Sequence, residues 1–144
     1  GIASQSGLNL IEGTGVTIDA VNNPTNNRVD YTINGPYKVY TALLTQTGTD
    51  APTAVVLQNT LGITPTLTRF ATGNYRITAS NTFTANKTFV FITPNDPFGS
   101  FGDMYNFSYY VQSTTTITFV SQGLSTSFSD DLFSNTLIEI RIYP

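Results

Sequence analysis

Leu137-Ile138-Glu139-Ile140-Arg141-Ile142-Tyr143 is the stretch from which the fold can be read. Successive side chains of an extended chain point to opposite faces, so Ile138, Ile140 and Ile142 line one side while Glu139 and Arg141 line the other. A strand with so apolar a face belongs inside a sheet, because edge strands are usually blunted by charge or proline. The starting expectation is a central strand lying over a hydrophobic core.

The same period of two recurs upstream. In 105–112, Tyr105, Phe107, Tyr109 and Val111 share one face, and Asn106, Ser108, Tyr110 and Gln112 share the other. Further strands are expected at 37–44, 54–59, 66–70, 74–80, 87–93 and 115–121. Turn residues separate nearly all of them: 47–52, Gly62, Thr72-Gly73-Asn74, 94–102 and Gln122-Gly123. Short strands at this spacing predict an antiparallel β-sandwich with a jelly-roll-like arrangement. No stretch of useful length has a helical period, and 127–134 allows one short turn.

Before residue 37 the strands are smaller: 8–12, then the Gly13-Thr14-Gly15 turn, 16–20, and 28–33. In the last of these Val29, Tyr31 and Ile33 alternate with Arg28, Asp30 and Thr32. Residues 21–27 form a turn by chemistry, since Asn tolerates the left-handed region and Pro24 fixes φ. So small a set of strands cannot bury enough surface by itself. Asn34-Gly35-Pro36 marks a boundary between a strand-rich connector, 1–36, and a sandwich tip, 37–144.

Composition narrows the function. Charged residues make up 10% of the chain, against about 25% in ordinary domains, while aromatics reach 12% and hydrophobics 40%. Polarity therefore rests on Thr, Asn, Ser and Gln, and the β-branched and aromatic bias favours strands. A net charge of −3 argues against binding nucleic acid or anionic membrane, and no apolar run is long enough for a spanning helix. Cysteine and histidine are both missing, which removes thiolate chemistry, the commonest general base and the commonest transition-metal ligand. No cofactor is expected. Beginning at Gly1 without a methionine, the chain reads as a fragment or processed piece of something longer, or equally as one left by a trimmed expression scar.

The phrase Leu8-Asn9-Leu10-Ile11-Glu12-Gly13-Thr14-Gly15-Val16-Thr17-Ile18, followed by Asn27-Arg28-Val29-Asp30-Tyr31-Thr32-Ile33, resembles a phrase repeated in the fibre and head-fibre proteins of tailed bacteriophages. It covers about the first quarter of the chain. The resemblance implies a connector in which three chains interleave strands, joined to a receptor-facing or capsid-facing tip. It thus implies a homotrimer in a virion, in contact with other virion proteins and with a host-surface glycan or protein. The tip is similar to trimeric jelly rolls only by analogy of strand count and last strand. Three copies sharing an axis would complete a core that one copy cannot. Ile11, Val16, Ile18 and Tyr31 are the interface candidates in the connector. Glu139 and Arg141 are candidates in the tip, either pairing across subunits or lying on a solvated strand face.

Catalysis would have to use carboxylates, hydroxyls, Lys and Arg. Paired carboxylates alone can cleave glycosides, but no spacing in the sequence places two across a cleft, and a non-enzymatic role is expected. Asn95, Asp96 and Asp103, or Asp130 and Asp131, offer oxygen ligands for calcium, although Asp and Asn in loops are more often turn formers, and no metal site is expected. The loop 93–104 holds Phe98 and Phe101 among Gly and Pro. These rings suit stacking on a sugar, and equally a small cluster beneath the loop or a subunit interface. Receptor-binding candidates are therefore Asp96, Phe98, Phe101 and Asp103, with Asn106 and Tyr110 on the polar face of their strand. Two rival readings remain: a monomeric carbohydrate-binding module of a secreted bacterial protein, and a fragment of a polysaccharide depolymerase.

Overall fold

The computed structural model describes residues 11, 13, 15–93, 105–123 and 127–144, and the chain divides into two units, Gly1–Tyr37 and Lys38–Pro144. All described sheets are antiparallel, and among the described residues the only helical turn is a 3-10 turn at Pro24–Asn26.

The first unit holds a hairpin of β1 (Thr17–Asn23) and β2 (Arg28–Asn34). It is entered by a turn in which the Val16 N–H donates to the Gly13 carbonyl at 3.2 Å. β1 runs to Asn23, three residues beyond the expected end at Ala20, because the loop is tighter than its Asn and Pro content suggests. The Asn23 side chain accepts from the Asn26 N–H at 3.3 Å and donates to Asp30 at 2.8 Å, and Asn27 sits in the left-handed region at φ 48°. Thus Val21 to Asn23, expected in the turn, pair with Arg28 to Asp30.

The second unit is built from two four-stranded sheets. One has the order β4-β3-β10-β7, from β3 (Lys38–Thr45), β4 (Thr53–Asn59), β7 (Thr88–Thr93) and β10 (Thr136–Ile142). The other has the order β5-β6-β9-β8, from β5 (Thr66–Ala71), β6 (Asn74–Thr78), β8 (Asn106–Ser113) and β9 (Thr116–Gln122). Every strand expected after residue 36 is present, with ends moved by a few residues at most. β10 is central, flanked by β3 and β7, as its alternation requires.

The sheets share one apolar core. Tyr40, Ala42 and Leu44 of β3, Val90 of β7, and Ile138, Ile140 and Ile142 of β10 meet Tyr75 and Ile77 of β6 and Ile117 and Phe119 of β9. This arrangement is a β-sandwich, with the inner faces supplied by alternate residues of each strand. Tyr40 lies in the core, whereas Tyr37, just before β3, is half-buried.

Residues 127–135 form no helix. They are bends that carry Leu132 and Phe133 into the interior. The Phe133 ring centroid lies 4.9 Å from that of Tyr75, 5.4 Å from Phe107 and 5.8 Å from Phe119, so this loop plugs one end of the sandwich. The burial of a ring, rather than helical hydrogen bonding, sets the path of the segment.

Candidate functional surfaces

The hairpin of the first unit is amphipathic. Its register places Ile18 opposite Ile33, Ala20 opposite Tyr31 and Asn22 opposite Val29, and these residues share one face. The other face holds Thr17, Asp19, Val21, Asp30, Thr32 and Asn34. It is tied by an Asn34-to-Asp19 hydrogen bond of 2.7 Å and an Arg28–Asp30 ion pair of 2.6 Å. The apolar face is largely uncovered: Tyr31 is 52% exposed and Ile33 67%. Val16 and Ile18 are half-buried and Ile11 is exposed. A two-stranded ribbon that leaves such a face open is marginal in water by itself.

The outer face of the β4-β3-β10-β7 sheet has a similar character. One row across the strands reads Val55, Leu43, Leu137 and Thr93, and the next reads Gln58, Thr41, Glu139 and Phe91. Phe89 lies opposite Arg141, and Phe89 and Phe91 are each about half exposed (49% and 50%). Glu139 and Arg141 pair with each other along β10, Nε to Oε1 2.5 Å. The central charges of this face are therefore compensated within the chain. Across the strands Glu139 is flanked by Thr41 and Phe91, and Arg141 by Val39 and Phe89.

The outer face of the other sheet contrasts with this one. Its alternate residues include Thr68, Asn74, Arg76, Thr78, Thr116, Thr118, Ser108 and Tyr110. Asn106 donates to Gln122 at 3.1 Å, and Tyr110 is 57% exposed. These two candidates stand on the polar face expected of them. Asp96, Phe98, Phe101 and Asp103, with Asn95, lie outside the described residues. Arg76 and its neighbour Phe70 escaped the sequence reading. The signal was the alternation of 74–78, which sends Arg76 outward while Tyr75 and Ile77 enter the core.

No family model, characterised protein or solved structure matches this chain.

The adjacent carboxylates Asp130 and Asp131 are separated by their partners. Asp130 Oδ1 accepts from Arg69 Nε, the Gly73 N–H and the Tyr75 hydroxyl, each at 3.0 Å, and Oδ2 accepts from the Arg69 guanidinium at 2.7 Å. Asp131 sits at φ 64° and accepts from the Gly48 N–H at 3.2 Å. Buried Gln46 joins the network: its Oε1 lies 2.7 Å from the Tyr75 oxygen, sharing the single hydroxyl proton with Asp130, and accepts from the Asp131 N–H at 2.9 Å. The Arg69 hydrogen bond holds the Asp130 carboxyl down at about 2, and burial pushes the Tyr75 hydroxyl up to about 12. A carboxylate so engaged is a clamp on loop 127–135. It is poorly placed to exchange protons with a substrate near neutral pH. Among the described residues no three carboxylates gather where they could hold a metal ion.

Proposed function

We propose that the chain is a structural module of a tailed-bacteriophage virion, a homotrimeric fibre or head or tail appendage whose tip engages the host surface. The observation that carries this reading is the contrast between the two outer faces of the sandwich. One presents Val55, Leu43, Leu137, Phe89 and Phe91 around a self-compensated ion pair, and the other is mostly Thr, Asn and Ser, with Val120 and the exposed rings of Phe70 and Tyr110 among them. An apolar sheet face beside a neutralised pair suits burial against copies of itself, because no unpaired charge would be desolvated. Phe89 and Phe91 are already half covered, so withdrawing the rest of each ring from water favours association by about 1 kcal/mol per ring. The opposite face is then left outward for contact with other molecules.

One further feature supports the reading. The connector hairpin offers Ile18, Tyr31 and Ile33 on one open face, as interleaving chains would require. In the second unit the first and last strands, β3 and β10, lie side by side, while β3-β4, β5-β6 and β8-β9 are hairpins kept within one sheet, so the sandwich does not follow jelly-roll order. Three tips on one axis would act multivalently, so weak individual sites would suffice for attachment.

Light scattering on the intact chain tests assembly directly. The expected result is the mass of three chains across a wide concentration range. A chain that remains a monomer at high concentration overturns the trimeric fibre and favours a monomeric binding module.

A further inference from the structure

The four arginines of this chain are not treated alike. Arg28 pairs with Asp30 at 2.6 Å, Arg69 with Asp130 at 2.7 Å and Arg141 with Glu139 at 2.5 Å. Among the described residues no carboxylate lies within ion-pair distance of Arg76. Its Nε is also buried with no hydrogen-bond partner. Buried donors are nearly always satisfied, so this orphaned N–H is exceptional; because it is itself covered, only the terminal nitrogens of the guanidinium are left to an external acceptor.

The surroundings say what kind of acceptor. The guanidinium lies 3.9 Å from the centroid of the Phe70 ring, which the irregular pairing between Arg69 and Ala71 leaves 62% exposed. Stacking of this kind fixes the plane of the fork and leaves its edges for ligands. In register across the sheet stand Thr68, Arg76, Thr118 and Tyr110. At about 4.8 Å between neighbouring strands, Tyr110 stands about 10 Å from Arg76, a span that a short oligosaccharide covers. The Thr118 hydroxyl donates to the Gln112 carbonyl oxygen at 2.9 Å, which leaves the Gln112 amide as a donor.

We propose that this strip of the β5-β6-β9-β8 sheet binds a saccharide bearing a carboxylate, with Arg76 holding the carboxylate and Phe70 and Tyr110 stacking on the sugar rings. A planar guanidinium matches a carboxylate with two parallel hydrogen bonds, aromatic rings cover the C–H faces of sugars, and hydroxyl and amide groups serve the remaining hydroxyls. The net charge of −3 gives the chain no general attraction for polyanions, so such binding has to come from this local site. The inference rests on the attachment role proposed above and names its ligand class, but the binding chemistry does not require a trimer.

The experiment is titration calorimetry of the intact chain with polygalacturonate, with polysialic acid, and with each polymer after its carboxylates are reduced to hydroxymethyl groups. The wild type should bind at least one acidic polymer and lose about tenfold or more in affinity for the reduced form. Arg76→Gln should abolish that discrimination, Arg76→Lys should restore part of it, and Tyr110→Ser should weaken both polymers several-fold, with melting temperatures unchanged. Equal affinity for acidic and reduced polymers, undiminished binding by Arg76→Gln, or no response to either acidic polymer overturns the proposal. Light scattering on the same samples separates the two readings: a monomer that binds and discriminates sinks the fibre but keeps this site.

Discussion

At the residue scale, the clamp around Asp130 joins Arg69, Gly73 and Tyr75 of the second unit through one carboxylate. Gly73 is part of it. Its φ of 59° disfavours any side chain, and an added Cβ would lie 2.6 Å from both the Ser121 carbonyl oxygen and the Ser129 nitrogen. Gly73→Ala should therefore destabilise the fold by about 2–4 kcal/mol, read as a lower urea midpoint with an unchanged slope. The carboxylate itself predicts an acid limb. Its folded value of about 2 lies below the ordinary 3.8, so its contribution is complete above about pH 4 and is lost as pH falls toward 2. The melting temperature should drop across that window, and Asp130→Asn should flatten the drop while lowering stability at pH 7. Tyr75 sets the opposite limb, since an acid whose folded value is raised from 10.0 to about 12 stabilises the fold below pH 10 and loses that contribution as pH climbs. Tyr75→Phe should remove this alkaline loss. None of this pairing was visible in the sequence, where Arg69 and Asp130 stand sixty-one positions apart and Asp130-Asp131 read as one acidic pair.

At the scale of elements, local periodicity was a reliable guide wherever one face of a strand meets the core. β10 shows why: three isoleucines separated by charged residues leave only one facing in which no charge is buried, and a strand so apolar on one face lies inside the sheet, here between β3 and β7. Periodicity was silent on loop 127–135, whose path follows one ring. Phe133→Ala should cost about 3–5 kcal/mol, since it empties the space between Tyr75, Phe107 and Phe119. Equilibrium denaturation would measure that cost. The hairpin end was also misjudged from sequence, because Asn22 and Asn23 are turn formers by type yet extend the β1 ladder when Pro24 and Asn27 complete the reversal.

At the scale of the whole molecule, the outer face of the β4-β3-β10-β7 sheet is where assembly should be broken selectively. Phe89 and Phe91 are half exposed on β7 and lie outside the sandwich core, and because Phe91 stands opposite Glu139, Phe89→Glu combined with Phe91→Glu should lower the melting temperature modestly while leaving the chain folded. The same pair would place unpaired charge in the proposed interface, and the scattering mass should fall from three chains to one. A double variant that keeps the trimer would move the interface away from this face.

The sequence by itself determined the all-β class, the position of nearly every strand, the central place of β10 and the polar character of the strand face carrying Asn106 and Tyr110. These properties depend on side-chain alternation and turn chemistry, which act over a few neighbouring residues. Only the tertiary structure decided how the strands divide between two sheets, that Glu139 pairs with Arg141 and Asp130 with Arg69, and that Arg76 is left beside Phe70 without a carboxylate. Those outcomes depend on which distant strands become neighbours, and a period of two assigns each residue a face without naming the strand beside it.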